Sequence, residues 1–134
     1  MIKFEQISVE NLTETDLFWL QRGCENAWDK ATPADQIEGV KNGSAFFFRV
    51  TGDMEGVFVL SIGNKKERIL MMTALAGTGM IRHFEEFYQK VRSLCQKAGA
   101  KQLCGFVARP GLQLLYRNKT TALPKAVLFV EDLT

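Results

Sequence analysis

With 134 residues, of which 46% are apolar and 24% charged, the chain has the size and balance of one globular domain, far from the signature of disorder. Seventeen basic against fifteen acidic residues leave +2, with neither sign gathered into a long run, so charge gives no footprint for nucleic acid or a membrane surface. Three cysteines without a CxxC pair and a single histidine, His83, argue against a disulfide framework and a zinc site of the usual kinds, so no metal is expected.

Ile2 to Val9 alternates apolar and polar side chains with one slip, the period of a half-buried first strand. Thr13 and Asp16 resemble a capping box, and Leu17, Leu20, Cys24, Ala27 and Trp28 then recur at helical spacing, predicting a helix from Glu14 to about Lys30. Thr32 as N-cap, Pro33 at the first helical position and Asp35 three residues after Thr32 start a short second helix that ends near Gly43.

From Ser44 the period changes. Two aromatic and β-branched runs flank Thr51-Gly52-Asp53-Met54-Glu55-Gly56, whose turn chemistry predicts an antiparallel hairpin. The run Phe46-Phe47-Phe48 must point to both faces of its sheet, which suits a strand covered on both sides. After a turn at Asn64, Lys65 and Lys66, the run from Arg68 to Leu75 reads as a central fourth strand. Gly77-Thr78-Gly79 follows, then the strongest helix of the chain: Phe84, Phe87, Tyr88, Val91, Leu94, Cys95 and Ala98 share one face, and Gly99 stands at the C-terminal cap. Lys101 to Ala108 reads as a strand, Arg109-Pro110-Gly111 opens a short helix carrying Leu112, Leu115 and Tyr116, and Ala126 to Leu133 closes the chain as a strand. The expected order is β-α-α-β-β-β-α-β-α-β in one α+β domain over residues 1–134 with a mixed central sheet. No window approaches the ~18 apolar residues needed to span a bilayer, and the N-terminus lacks a signal-like apolar run, so a cytoplasmic location without membrane contact is expected.

The junction of strand four, two glycines and a long helix is the first candidate site. A helix N-terminus carries orphan N–H groups and partial positive charge, and glycines let a phosphate approach the main chain. The same glycines could equally serve only the strand-to-helix turn. Tyr116 could deliver a proton from a short helix, or pack through its ring. Glu55 and Glu67 could act as bases, or be solvated charges beside turns. His83, in the first turn of the long helix, is disfavoured as a cation by the dipole. Cys24, Cys95 and Cys104 read as inert packing thiols.

This order of elements, with the double glycine between the fourth strand and the longest helix, resembles the GCN5-related N-acetyltransferase (GNAT) superfamily over nearly the whole chain. The family's Gln/Arg-x-x-Gly-x-Gly/Ala pattern aligns with Ala74-Leu75-Ala76-Gly77-Thr78-Gly79, with Ala74 in place of Gln or Arg. Leu115-Tyr116 falls where the family places a tyrosine after the fifth strand, although the Gly-Phe that should follow is missing. The resemblance implies an acyl-CoA N-acyltransferase fold, acetyl-CoA as the acyl donor held by Leu75, Gly77, Thr78, Gly79 and Met80, an amine acceptor that attacks the thioester directly, and Tyr116 as the acid for the leaving thiolate. The segment from Gly99 to Leu112 also looks like small bacteriophage-encoded GNAT-like proteins, which implies the alternative of a catalytically degenerate domain acting as a homo-oligomer or with virion proteins in assembly.

Overall fold

The computed structural model describes residues 1–25, 31–106, 123–125 and 128–133. β1 (Ile2–Ile7) leads through a single 3-10 turn, Val9–Asn11, into α1 (Glu14–Glu25) and α2 (Pro33–Lys41). β2 (Ala45–Gly52), β3 (Glu55–Asn64) and β4 (Ile69–Thr78) follow, then α3 (Phe84–Lys97), β5 (Gln102–Phe106), β6 (Leu123–Lys125) and β7 (Leu128–Asp132).

Both predicted capping boxes form. At α1 the Thr13 N–H donates to Asp16 Oδ2 at 2.9 Å and the Asp16 N–H donates to Thr13 Oγ1 at 3.1 Å. At α2 Thr32 and Asp35 make the same reciprocal pair, with Pro33 leading the helix. Each box satisfies donors that the helix cannot use internally. At the far end of α3, Gly99 takes the left-handed conformation (φ +85°), and the N–H groups of Gly99 and Ala100 donate to the carbonyls of Gln96 and Cys95.

The strands form one sheet in the order β1-β2-β3-β4-β5-β7-β6, antiparallel except for the β4–β5 pair. The parallel pair is the one joined through a helix, as a parallel crossover requires. Helices cover both faces. Phe48, Val50, Phe58 and Leu60 pack beneath Phe84, Phe87, Val91 and Cys95 of α3. On the opposite face Phe47, Val57, Val59 and Ala74 pack beneath Leu20 of α1, with Ile37 and Val40 of α2 against them. The triple phenylalanine therefore divides between two cores, as its alternation predicts.

Three boundaries differ from the sequence reading. β1 stops at Ile7 because the chain turns into the 3-10 segment. β4 runs to Thr78, so both Gly77 and Thr78 belong to the strand. A short strand, β6, precedes the last one. The predicted continuation of the first helix over 26–30, the helix opened by Arg109-Pro110-Gly111, and Tyr116 lie outside the described residues.

Candidate functional site

The parallel ladder between β4 and β5 pairs Ile69 with Gln102 and ends at Met72 with Gly105. Beyond that pair β4 continues from Thr73 to Thr78, still bonded to β3 but with no β5 partner among the described residues. The described β4–β5 ladder thus covers the first four residues of β4.

A bulge in the β3–β4 ladder follows the last described β4–β5 pair. Val59 faces Ala74 and Leu60 faces Met72, so Thr73 is an extra residue without a cross-strand partner. A bulge of this kind bends and twists its strand locally. Thr73 is also held from the side: its hydroxyl donates to Gln36 Oε1 at 3.1 Å and meets Ser61 Oγ at 2.9 Å, while its carbonyl accepts from Gln36 Nε2 at 3.4 Å. Gln36 is only 5% exposed. Sequence reasoning missed this trio, because its members come from α2, β3 and β4 and no local pattern links them.

The residues expected to hold the donor are distributed along the same strand and its exit. Leu75 stands opposite Phe58 and packs into the α3-side core. Gly77 stands opposite Gly56 and exposed Thr78 opposite Glu55. Only Gly79 and Met80 lie in the turn before α3. Gly79 is left-handed (φ +81°), and a side chain there would come within 3.0 Å of the Asp53 carbonyl. Gly77 has a packing reason of its own: a Cβ would collide with the Glu55 carbonyl and lie 2.9 Å from Gly56 Cα. The glycine pair lets β3 and β4 approach closely where the strands end.

α3 aims its N-terminus at this turn. The His83 N–H donates to the Gly79 carbonyl, and His83 occupies the N-cap without a side-chain capping bond. Glu85 and Glu86 fill the first turn, where carboxylates suit the dipole and also repel an incoming anion. Asp53, on the β2–β3 turn, binds the Met1 ammonium, with Arg82 and His83 adding weaker attraction; together they hold its carboxyl below the usual range.

Glu55 is exposed beside Thr78, whereas Glu67 is exposed at the opposite end of β4. Nine strand steps of about 3.3 Å separate the two ends, so these carboxylates cannot serve one reacting centre. Burial pushes the Cys95 thiol up to about 12 and raises that of Cys104, which fits inert packing thiols. Among the described residues no group of three His, Cys, Asp or Glu could hold a metal ion. No helix among them is long and apolar enough to cross a membrane.

A seven-stranded mixed sheet whose one parallel pair is joined through a helix, with helices on both faces, is the fold of the GNAT acetyltransferases. A structure described as an acetyltransferase of the GNAT family from Desulfovibrio desulfuricans matches with a TM-score of 0.65 over 100% of both chains, at 11% identity. The spermidine/spermine N-acetyltransferase SpeG from Vibrio cholerae matches with a TM-score of 0.72 over 99% of this chain and 95% of its own, at 10% identity. The aminoglycoside acetyltransferase AAC(6')-Ib, solved in complex with coenzyme A, matches with a TM-score of 0.67 over 98% and 95%, at 13% identity. No family model matches the sequence, and no curated protein matches it. At such identities the likeness is one of fold.

Proposed function

We propose that this chain is an acetyl-CoA-dependent N-acyltransferase whose donor lies in the gap between β4 and β5. The observation that carries this reading is β4 leading through Gly77 and Thr78 to left-handed Gly79 before α3, in a fold shared with acetyltransferases, one of them solved with coenzyme A. An extended thioester arm can lie along Thr73–Thr78 and bond their main chain as a strand would. Gly79 and Met80 then bring the pyrophosphate to the α3 N-terminus, where backbone N–H groups rather than cations would hold it. The amine nitrogen attacks the thioester carbonyl carbon, the C–S bond breaks, and the thiolate leaves. Tyr116 supplies the proton to that sulfur, and the nitrogen loses its own proton to solvent or a base. Proximity and main-chain donors supply the acceleration. The whole chain acts as one domain with an amine acceptor.

The test is a calorimetric titration with acetyl-CoA, followed by thiol-release assays on spermidine and an aminoglycoside. Saturation about 100-fold above the dissociation constant should stabilise the fold by about 2.7 kcal/mol. Thr78→Glu places a carboxylate at the exposed exit of β4 without disturbing either glycine, and it should weaken binding by about tenfold or more.

Two observations favour a second reading. Glu85 and Glu86 stand in the first turn of α3, and Gly77 has a packing role independent of any phosphate. A domain that has lost the donor site and serves as a homo-oligomeric or virion-assembly component would show no stabilisation by millimolar acetyl-CoA.

A further inference from the structure

A hollow of about 430 Å³ opens on the α3 side of the sheet at the end remote from Gly79. Phe46, Phe48, Leu60 and Leu70 form its floor, and Leu94 of α3 with the C-cap Ala98 forms its roof. Phe46, Leu70 and Leu94 pack against the core yet keep part of their surface uncovered. The volume lies within the range of small-molecule sites, roughly 300–1,000 Å³, and the wall is apolar as in most of them.

The mouth has a different chemistry. Lys65 and Arg68, from the β3–β4 turn, line it. None of the ion pairs among the described residues engages either side chain. Glu67 of the same turn and Asp132 of β7 do not line the hollow. The turn that presents the two cations is built rather than loose. Asn64 Oδ1 accepts from the Glu67 N–H at 2.9 Å, and the Arg68 carbonyl accepts from the Lys101 N–H at 2.8 Å. Arg68 itself sits at φ +58°, the only left-handed non-glycine among the described residues, a conformation that costs energy in an arginine. The negative end of α3, which borders the same mouth, has its Gln96 and Cys95 carbonyls capped by Gly99 and Ala100.

We infer that this hollow is a binding site for a small organic carboxylate with an apolar tail, the tail between sheet and α3 and the carboxylate against Lys65 and Arg68. A neutral apolar molecule would leave both cations unused. An amine would be repelled. Charge-assisted hydrogen bonds from a guanidinium and an ammonium suit a carboxylate head. The site is separated from Gly79 by the length of β4 and does not depend on acetyl transfer.

The experiment is an NMR titration of the full chain with octanoate, with octan-1-ol and octylamine as probes of the same length. Octanoate should give saturable shifts at Arg68, Leu70 and Leu94 in the millimolar range or below, and octan-1-ol should bind about tenfold more weakly. The double variant Lys65→Gln, Arg68→Asn should bring octanoate down to the octan-1-ol level, asparagine being chosen because it tolerates the left-handed backbone. Ala98→Trp, at an exposed position, should fill the hollow and abolish binding of both. Absence of saturable octanoate shifts, shifts centred on Gly77–Met80, equal affinity for octanoate and octan-1-ol, or a folded double variant that binds octanoate as the parent does would each overturn the inference. Should the double variant fail to fold, the octanoate to octan-1-ol ratio and Ala98→Trp decide the matter.

Discussion

Gln36 and Thr73, one on α2 and the other on β4, are joined twice: the glutamine oxygen accepts from the threonine hydroxyl and the glutamine nitrogen donates to the threonine carbonyl. The bond reaches β4 at its bulge, immediately after the last β4–β5 pair. Gln36→Ala removes both bonds to half-buried Thr73, whose hydroxyl keeps Ser61, and should cost about 1–2 kcal/mol in urea unfolding. Because the freed bulge can realign with Leu60 or Val59, acetyl-CoA affinity should fall further than stability alone accounts for. Equal affinity in the folded variant would show that α2 does not shape the proposed donor site.

Asp16 makes two charge-assisted contacts with Arg49, at 2.9 and 2.7 Å, and is 2% exposed. Burial alone pushes its carboxyl up, but the hydrogen bonds from Arg49 and Thr13 outweigh burial and leave it below the ordinary 3.8. A folded value depressed below the unfolded one gives stability that is present above about pH 4 and is lost as pH falls through the folded value. Asp16→Asn should therefore lower stability at pH 7 by about 1–3 kcal/mol, and the gap to the parent should narrow in urea melts at successively lower pH below 4.

Gly77 and Thr78 separate two explanations of the double glycine. Gly77→Ala should destabilise the protein by about 1–3 kcal/mol through overpacking against Gly56, with no ligand present. Thr78→Ala should leave stability within about 0.5 kcal/mol, as expected of an exposed site. Thermal melts of the two variants provide the comparison. A neutral Gly77→Ala would return that glycine to a purely ligand-facing role.

The α1 helix crosses β4 so closely that a Cβ at Gly23 would lie 3.1 Å from the Leu75 nitrogen. Alanine gains helix propensity of about 1 kcal/mol over glycine but must push the strand. A larger residue has no such offset, and Gly23→Leu should cost about 1–3 kcal/mol. Urea unfolding of the Ala and Leu variants should show the second well below the first.

Cys95 is fully buried, and its thiol is pushed up to about 12. At pH 8 it carries only about one part in 10⁴ of thiolate. An Ellman-type reagent should leave it untouched in the native protein and react with it on unfolding; native labelling at Cys95 by mass spectrometry would contradict its packing role.

Much of the fold was legible because the signals are local. Thr13 with Asp16 and Thr32 with Asp35 announce helix starts through bonds that span three residues, and the Phe46–Phe48 run announces a two-faced strand through a period of two. The site was less legible. Gly77-Thr78-Gly79 reads as a loop because glycine usually marks one, yet the strand continues to Thr78 and pairs Gly77 with Gly56, twenty-one positions away in sequence. The Gln36–Thr73–Ser61 trio left no trace in any window, since a bulge depends on the partner strand.

The sequence by itself determined the order of strands and helices from β1 to β5, their caps and the division of apolar residues between two faces, because these follow from backbone geometry within one or two turns. Tertiary structure alone decided where β4 bulges against β3, why two glycines face each other, and which polar groups meet at the bulge. It also decided that Lys65 and Arg68 stand at the mouth of an apolar hollow. Each of those depends on distances between segments far apart in the chain, and such distances are set by packing.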